Sequence, residues 1–159
     1  MIIRPANNAD VDAVAEIWRY GWADGHQGHV PPELVAARTP ESFVARAFQR
    51  VANTAVAVVG ETVAGFVIVI DDEAEQVYVD PDHRGSGVAG ALLAEAERLV
   101  RRNGYDRAWL AVVAGNERAR RFYARQGWAD EGLVQYQAAT ADGGQVAVEV
   151  HRYTKLLPG

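Results

Sequence analysis

The segment "VYVDPDHRGSGVAGALL", Val77 to Leu93, constrains this chain more than any other. An alternating apolar run stops at Pro81, two glycines bracket one serine, and a helical pattern begins at once. Side chains are thus removed from the place where a helix starts. The first N–H groups of a helix have no partner inside it, and with the helix dipole they form a site for phosphate oxygens. Gly85 and Gly87 let the main chain approach such a ligand, while Ser86 and Ala89 keep the walls low. A strand-to-helix turn that uses glycine only for its dihedral angles has the same spelling, so other residues must decide between the two readings. Two familiar phosphate loops do not fit. Val88-Ala89 stand where a Walker loop needs Lys followed by Ser or Thr, and Gly90 is out of register for the dinucleotide fingerprint.

The flanking sequence gives the elements. "MIIRP" reads as a strand ended by Pro5, and Asn7 with Asp10 opens a helix whose Val11, Val14, Ile17 and Trp18 share a face, ending near Gly21. "WADGHQGHVPPELV" reads as an irregular loop. Thr39 caps a second helix with Pro40 in its first turn and Phe43, Ala47 and Phe48 as its apolar stripe. From Thr54 the period changes to that of strands: "TAVAVV", "TVAGFVIVI" and "EAEQVYV", joined at Gly60-Glu61 and Asp71-Asp72, make sequential antiparallel strands. The helix after the glycines turns Val88, Leu92, Leu99 and Val100 inward and stops at Gly104. "DRAWLAVV" is a strand, "NERARRFYARQG" a basic helix ended by Gly127, and "LVQYQAAT" with "QVAVEVHRY" a closing hairpin about Asp142-Gly143-Gly144. The order βαα-βββ-α-β-α-ββ predicts a mixed α/β fold of the α+β type, one sheet flanked by helices, as a single domain over residues 1–159.

The totals narrow the function classes. A net charge of -5 argues against a general nucleic-acid binder, which needs a basic face for phosphates. With no cysteine in the chain, disulfides, thiolate metal sites and a cysteine nucleophile are all excluded. His26, His29 and His151 match no familiar metal-ligand spacing, and no metal is expected. "MIIRPANNAD" lacks the apolar region of a signal peptide, and no stretch approaches the roughly 20 apolar residues of a membrane span, so a cytoplasmic protein with no membrane association is the expectation.

A second cluster follows the glycine loop, at "NERARRFYARQGW". On a helix, Asn116, Arg120 and Tyr123 fall on one face, while Phe122 points elsewhere, into the core. Taken singly, Asn116 is a helix cap and Tyr123 an amphipathic tyrosine. Taken in order, "VYVDP", "RGSGVA" (Arg84 to Ala89) and "N...A...FYARQGW" resemble the GNAT superfamily of acyl-CoA-dependent N-acetyltransferases, over essentially the whole chain.

The resemblance implies a central mixed, mostly antiparallel sheet of about seven strands, splayed between strands 4 and 5 and flanked by about four helices. It implies acetyl-CoA as acyl donor. The strand of Val77, Tyr78 and Val79 would pair with the pantetheine arm, and the Val79 N–H would polarise the thioester carbonyl. The loop from Arg84 through Gly85, Ser86, Gly87, Val88, Ala89 and Gly90 would bind the pyrophosphate. Asn116 would contact the pantetheine region, and Tyr123 would protonate the leaving thiolate. Arg120 joins this set by helical geometry, and of the basic cluster Arg118, Arg120, Arg121 and Arg125 some attract the CoA phosphates while at least two form a solvated face.

An amine attacking a thioester passes through an oxyanion, and a proton must leave nitrogen and reach sulfur. Without cysteine, direct transfer in a ternary complex is the expected route. For the general base three options stand: Glu73, Glu75 if no bulge changes its face, or a water relay. The family variant with a glutamate five residues before the asparagine is excluded, because that residue is Ala111. The resemblance places the acceptor, a small-molecule or peptide amine, between the final hairpin and the loop of Trp22, Asp24, His26 and His29, with Glu149 and His151 as second-rank candidates. It is also compatible with a homodimer. Rival expectations are a catalytically silent acyl-CoA-binding or sensor module and an interaction module without ligand.

Overall fold

Period-two apolar patterning marks the strands of this molecule, and they join into one sheet. The computed structural model describes residues 1–140 and 142–159. The strands are β1 (Ile2–Pro5), β2 (Thr54–Val59), β3 (Thr62–Ile70), β4 (Glu73–Val79), β5 (Arg107–Val113), β6 (Ala129–Ala139) and β7 (Gln145–Leu156), in the spatial order β1-β2-β3-β4-β5-β7-β6. Every neighbouring pair is antiparallel except β4 and β5, which run parallel. The helices are α1 (Val11–His26), α2 (Pro32–Ala37), α3 (Pro40–Gln49), α4 (Val88–Arg102) and α5 (Glu117–Arg125). No helix of the described residues is long and apolar enough to cross a membrane.

Each face of the sheet carries its own core. On one side α4 lays Val88, Leu92, Leu93, Ala96 and Val100 over Val67, Leu110 and Tyr153. On the other, α1 and α3 bring Trp18 and Phe43 onto Phe66, with ring centroids 5.8 and 5.7 Å from Trp18. Burial of side chains this size stabilises by about 1.5–3 kcal/mol each. At the entry to α1, the Asn7 N–H donates to Asp10 at 2.8 Å, and Arg4 grips the same buried carboxylate at 2.8 and 2.9 Å. That pairing holds the Asp10 carboxyl below its ordinary range.

Three expectations change. The first helix does not end near Gly21 but continues to His26, with Gly21 and Gly25 inside it. A Cβ on Gly21 would lie 2.3 Å from the Tyr78 ring, and one on Gly25 would lie 2.7 Å from the Asn116 side chain. These glycines serve close approach rather than termination, which offsets their poor helix propensity. The stretch read as an irregular loop contains α2, started by Pro32 at a position where its missing N–H costs nothing. Finally, Phe48 is 60% exposed, so the apolar stripe of α3 ends at Ala47.

Between β4 and β5 the sheet comes apart. The two strands share a single pair, Glu73 with Trp109, whereas β5 and β7 stay paired from Arg107 to Val113. The expected splay is therefore present. It positions everything that follows.

Candidate active site

The splay leaves main-chain groups without strand partners. The Asp80 N–H donates to Ala64 O at 2.8 Å, so the alternation of an antiparallel ladder turns the N–H and C=O of Val79 and Val77 away from β3 and into the gap. Across the gap, the Leu157 N–H donates to Asp106 O, and the same alternation turns the groups of Ala111 and Val113 toward β4. A cavity of about 480 Å³ follows this opening and passes between the two faces of the sheet.

One extra residue decides which side chains enter it. β3 pairs with β4 in register until Ile68 and Gln76, after which Val69 pairs with Ala74, leaving Glu75 as a bulge. A bulge reverses the parity beyond it. Ala74 consequently joins the α4 core, while Glu73 and Glu75 both line the cavity. Their environments differ. Glu75 accepts from the Arg50 guanidinium at 3.1 and 3.4 Å. Glu73 has no hydrogen-bond or ion-pair partner among the described residues, and burial, reinforced by the charges of Glu75 and Asp72, raises its carboxyl to about 7.

The glycine loop lies where β4 hands over to α4. Asp80 caps a short 3-10 turn by accepting from the Asp82 N–H at 2.9 Å, and the Ser86 hydroxyl donates to His83 O. Gly85 and Gly87 have φ of 77° and 86°, conformations that an L side chain resists. Both are exposed, a Cβ on either would meet nothing within 4 Å, and Gly87 supplies no side-chain cap to α4. The dihedral reading is met, since positive φ shapes the loop, and the space about the uncapped start of α4 leaves room for a ligand. A pyrophosphate fits a site of this kind.

From the other wall comes α5. Asn116 caps it through the Ala119 N–H at 3.3 Å while its amide nitrogen rests against Gly25. Tyr123 is buried against Trp128 and Tyr153, lines the cavity, and has no hydrogen-bond partner among the described residues. Burial raises its hydroxyl, which stays protonated through the neutral range. Phe122 packs partly buried against the α4 core. Arg120 is a correction: its guanidinium turns from the cavity to Tyr153 Oη at 3.3 Å, Ala114 O at 3.3 Å and Asp130 at 3.4 Å. The helix face is as expected, but the long side chain finds partners on the neighbouring strands.

On the α1–α3 side, Trp22 and His26 line the cavity, with their rings stacked at 4.9 Å. Burial lowers His26 to about 4, so its imidazole is neutral. Asp24 and His29 do not line the cavity. Asp24 accepts from Arg84 at 3.0 Å and Arg118 at 2.7 Å, tying α1 to the glycine loop and α5, and these arginines hold its carboxyl low. His29 lies over Gly115, where a Cβ would approach its ring to 2.2 Å. Nor do the second-rank candidates reach the cavity: Glu149 is exposed, and His151 contacts Asp130 at 2.9 Å. Side chains not anticipated from sequence fill their place, namely Arg38, Arg46, Gln49, Arg50, Tyr136 and Gln137. No local sequence signal marks them, because only the folded sheet gathers them.

With this geometry in view, comparison with known proteins is informative. Residues 29–128 match the model of the acetyltransferase (GNAT) family. The chain belongs to the GNAT family. An uncharacterised N-acetyltransferase of Mycobacterium tuberculosis is 38% identical over 58 residues, which span 36% of this GNAT chain and 37% of the relative's length. A GCN5-related N-acetyltransferase from Rhodopseudomonas palustris has the same fold at a TM-score of 0.74 and 22% identity, covering 98% of this chain and 95% of that one. A putative acetyltransferase from Salmonella typhimurium, solved with its cofactor acetyl-CoA, superposes at a TM-score of 0.71 and 20% identity, covering 100% and 95%. In this GNAT chain the tyrosine of α5 lines the cavity that the splay opens, and the positive-φ loop follows β4 at the start of α4.

Proposed function

We propose that the protein transfers an acetyl group from acetyl-CoA to a primary amine by direct attack. The observation that carries this reading is the unpaired gap between β4 and β5, with Glu73 and Tyr123 lining the same cavity. Acetyl-CoA supplies the activated thioester, and the structural relative solved with that cofactor supports its use here. Gly85 to Gly90 would hold the pyrophosphate with main-chain N–H groups, and the free groups of Val77 and Val79 would hold the pantetheine arm. Tyr78 shapes that passage with a ring packed on Gly21.

In the transfer, the acceptor attacks as the neutral amine, and Glu73 takes the proton that its nitrogen sheds. The new C–N bond forms first and gives a tetrahedral oxyanion that the Val79 N–H stabilises; the C–S bond then breaks, and Tyr123 gives its proton to the departing sulfur. Coenzyme A leaves as the thiol, and the acceptor leaves as an amide. A fixed oxyanion donor contributes about 2.7–4 kcal/mol, and each proton relay about 10²- to 10⁴-fold in rate. Glu73, poised at about 7 and free of partners, suits the base role; Glu75, held by Arg50, does not.

Calorimetry with acetyl-CoA and thiol release across an amine panel test the reading together. Tyr123→Phe should lower turnover about 10²-fold while changing acetyl-CoA affinity less than about twofold. Equal losses in both would remove the acid role, and binding without thiol release from any amine would leave a silent acyl-CoA module.

A further inference from the structure

Of the arginines lining the cavity, two, Arg46 and Arg38, have no ion-pair partner among the described residues. Arg46 projects from α3 with its guanidinium carbon 4.4 Å from the Trp18 ring centroid. It has no hydrogen bond or ion pair among the described residues, and its Nη1 is fully buried. Arg38, at the end of α2, gives one nitrogen to Ala139 O at 3.1 Å and leaves a buried Nε without a partner. Arg50 is already engaged with Glu75. Burial pulls Arg46 down to about 10, with the charge of Arg38 adding to the effect, so the guanidinium stays charged near neutrality at a cost in solvation. Buried charges persist when something compensates them. Here the Trp18 ring and the charge of Glu75 compensate Arg46 in part, and no oxygen among the described residues accepts a hydrogen bond from its guanidinium.

We infer that the acceptor amine carries its own anionic group, a carboxylate or phosphonate close to the reacting nitrogen, and that Arg46, assisted by Arg38, binds it. The inference rests on the acetyl-transfer reading above and narrows its acceptor. Glu73 and the two arginines line one cavity, so a compact zwitterion can present nitrogen to the carboxylate and its anion to the guanidiniums. An arginine fork matches carboxylate and phosphonate geometry with paired donors. A polyamine, lacking an anion, would leave Arg46 without such an acceptor and add positive charge beside it. A peptide N-terminus has an amide in place of the carboxylate and offers no such partner.

The test is a panel on the whole protein with saturating acetyl-CoA: L-amino acids each paired with the corresponding amide, 2-aminoethylphosphonate paired with ethanolamine, and spermidine with a short peptide as further arms. The expected result is that the best acid exceeds its uncharged partner by about 10²-fold or more in kcat/KM, since a site built around a polar partner discriminates strongly against its absence. Selectivity among the acids tells carboxylate from phosphonate, and either supports the inference. Arg46→Gln should erase the preference and Arg46→Lys restore part of it. Transfer to amides, spermidine or peptide as efficient as to the acids overturns the inference while leaving acetyl transfer standing. Should no amine release thiol, calorimetry of the same panel on the protein–CoA complex still reads the site: acid-selective binding lost in Arg46→Gln sustains it, and binding without such selectivity sinks it.

Discussion

Two parts of the site are built from different materials. Where β4 hands over to α4, the groups on offer are main-chain ones: the gap-facing groups of Val77 and Val79 and the amides of the positive-φ loop, all within one short run of sequence. Toward α1–α3, the contacts are side chains from Trp22, Arg38, Arg46, Glu73 and Tyr136, brought together from distant parts of the chain. The contrast teaches that the backbone part must keep a particular spelling, because only glycine accepts the loop's φ angles, whereas the side-chain part can be rewritten residue by residue without disturbing the fold.

If that division holds, substitutions in the two parts should separate turnover from donor affinity. The largest effect is expected from Glu73→Gln, which should lower kcat by about 10²- to 10⁴-fold with acetyl-CoA affinity, read by calorimetry, little changed. A comparable loss of affinity would break the contrast. Next comes Gly87→Val: a left-handed conformation costs an L residue roughly 1–2 kcal/mol, so acetyl-CoA should bind about tenfold more weakly while turnover at saturation is retained. The Cβ has open space, so the loss would come from the loop's conformation, and rescue by saturating donor would sharpen the distinction.

Smaller effects concern pH. With the Glu73 carboxyl at about 7, kcat/KM for an acceptor should rise with pH through that value and lose this limb in Glu73→Gln. The stability consequence runs the other way. A carboxyl whose folded value lies above its ordinary 4.5 binds more proton when folded, so its contribution is favourable below that range and is lost as pH rises toward about 7. Thermal unfolding at pH 8 should therefore find Glu73→Gln somewhat more stable than the parent, whereas the two should converge near pH 4. A less stable variant at pH 8 would mean that Glu73 has a partner in solution.

Much of the fold was legible because the strands announce themselves. Apolar runs at Thr54–Val59, Thr62–Ile70 and Glu73–Val79, punctuated by turn residues, place the meander, and caps at Asn7 and Thr39 start their helical segments as expected. The errors have a common origin in tertiary contact. Gly21 looks like a stop until Tyr78 is seen packed on it, and Pro32 looks like a loop residue until it begins α2. In the candidate site, motif order singled out the glycine loop, which lies at the start of α4, and Tyr123, which lines the cavity. Arg120 was misplaced because helix geometry fixes where a side chain starts and not where five bonds later it ends. Arg38, Arg46 and Arg50 looked like any solvated helix charges, since nothing near them in the chain records that a cavity lies beneath.

The bulge at Glu75 gives strand register an importance that strand composition lacks. A pairing that absorbed the extra residue as ordinary strand would turn the Glu73 carboxylate into oily surroundings and offer the methyl group of Ala74 in its stead, while every motif stayed intact. Variation in this protein should accordingly swap letters between Glu73 and Val79 far more freely than it shifts their register against β3, and libraries built on this strand would do well to keep the bulge.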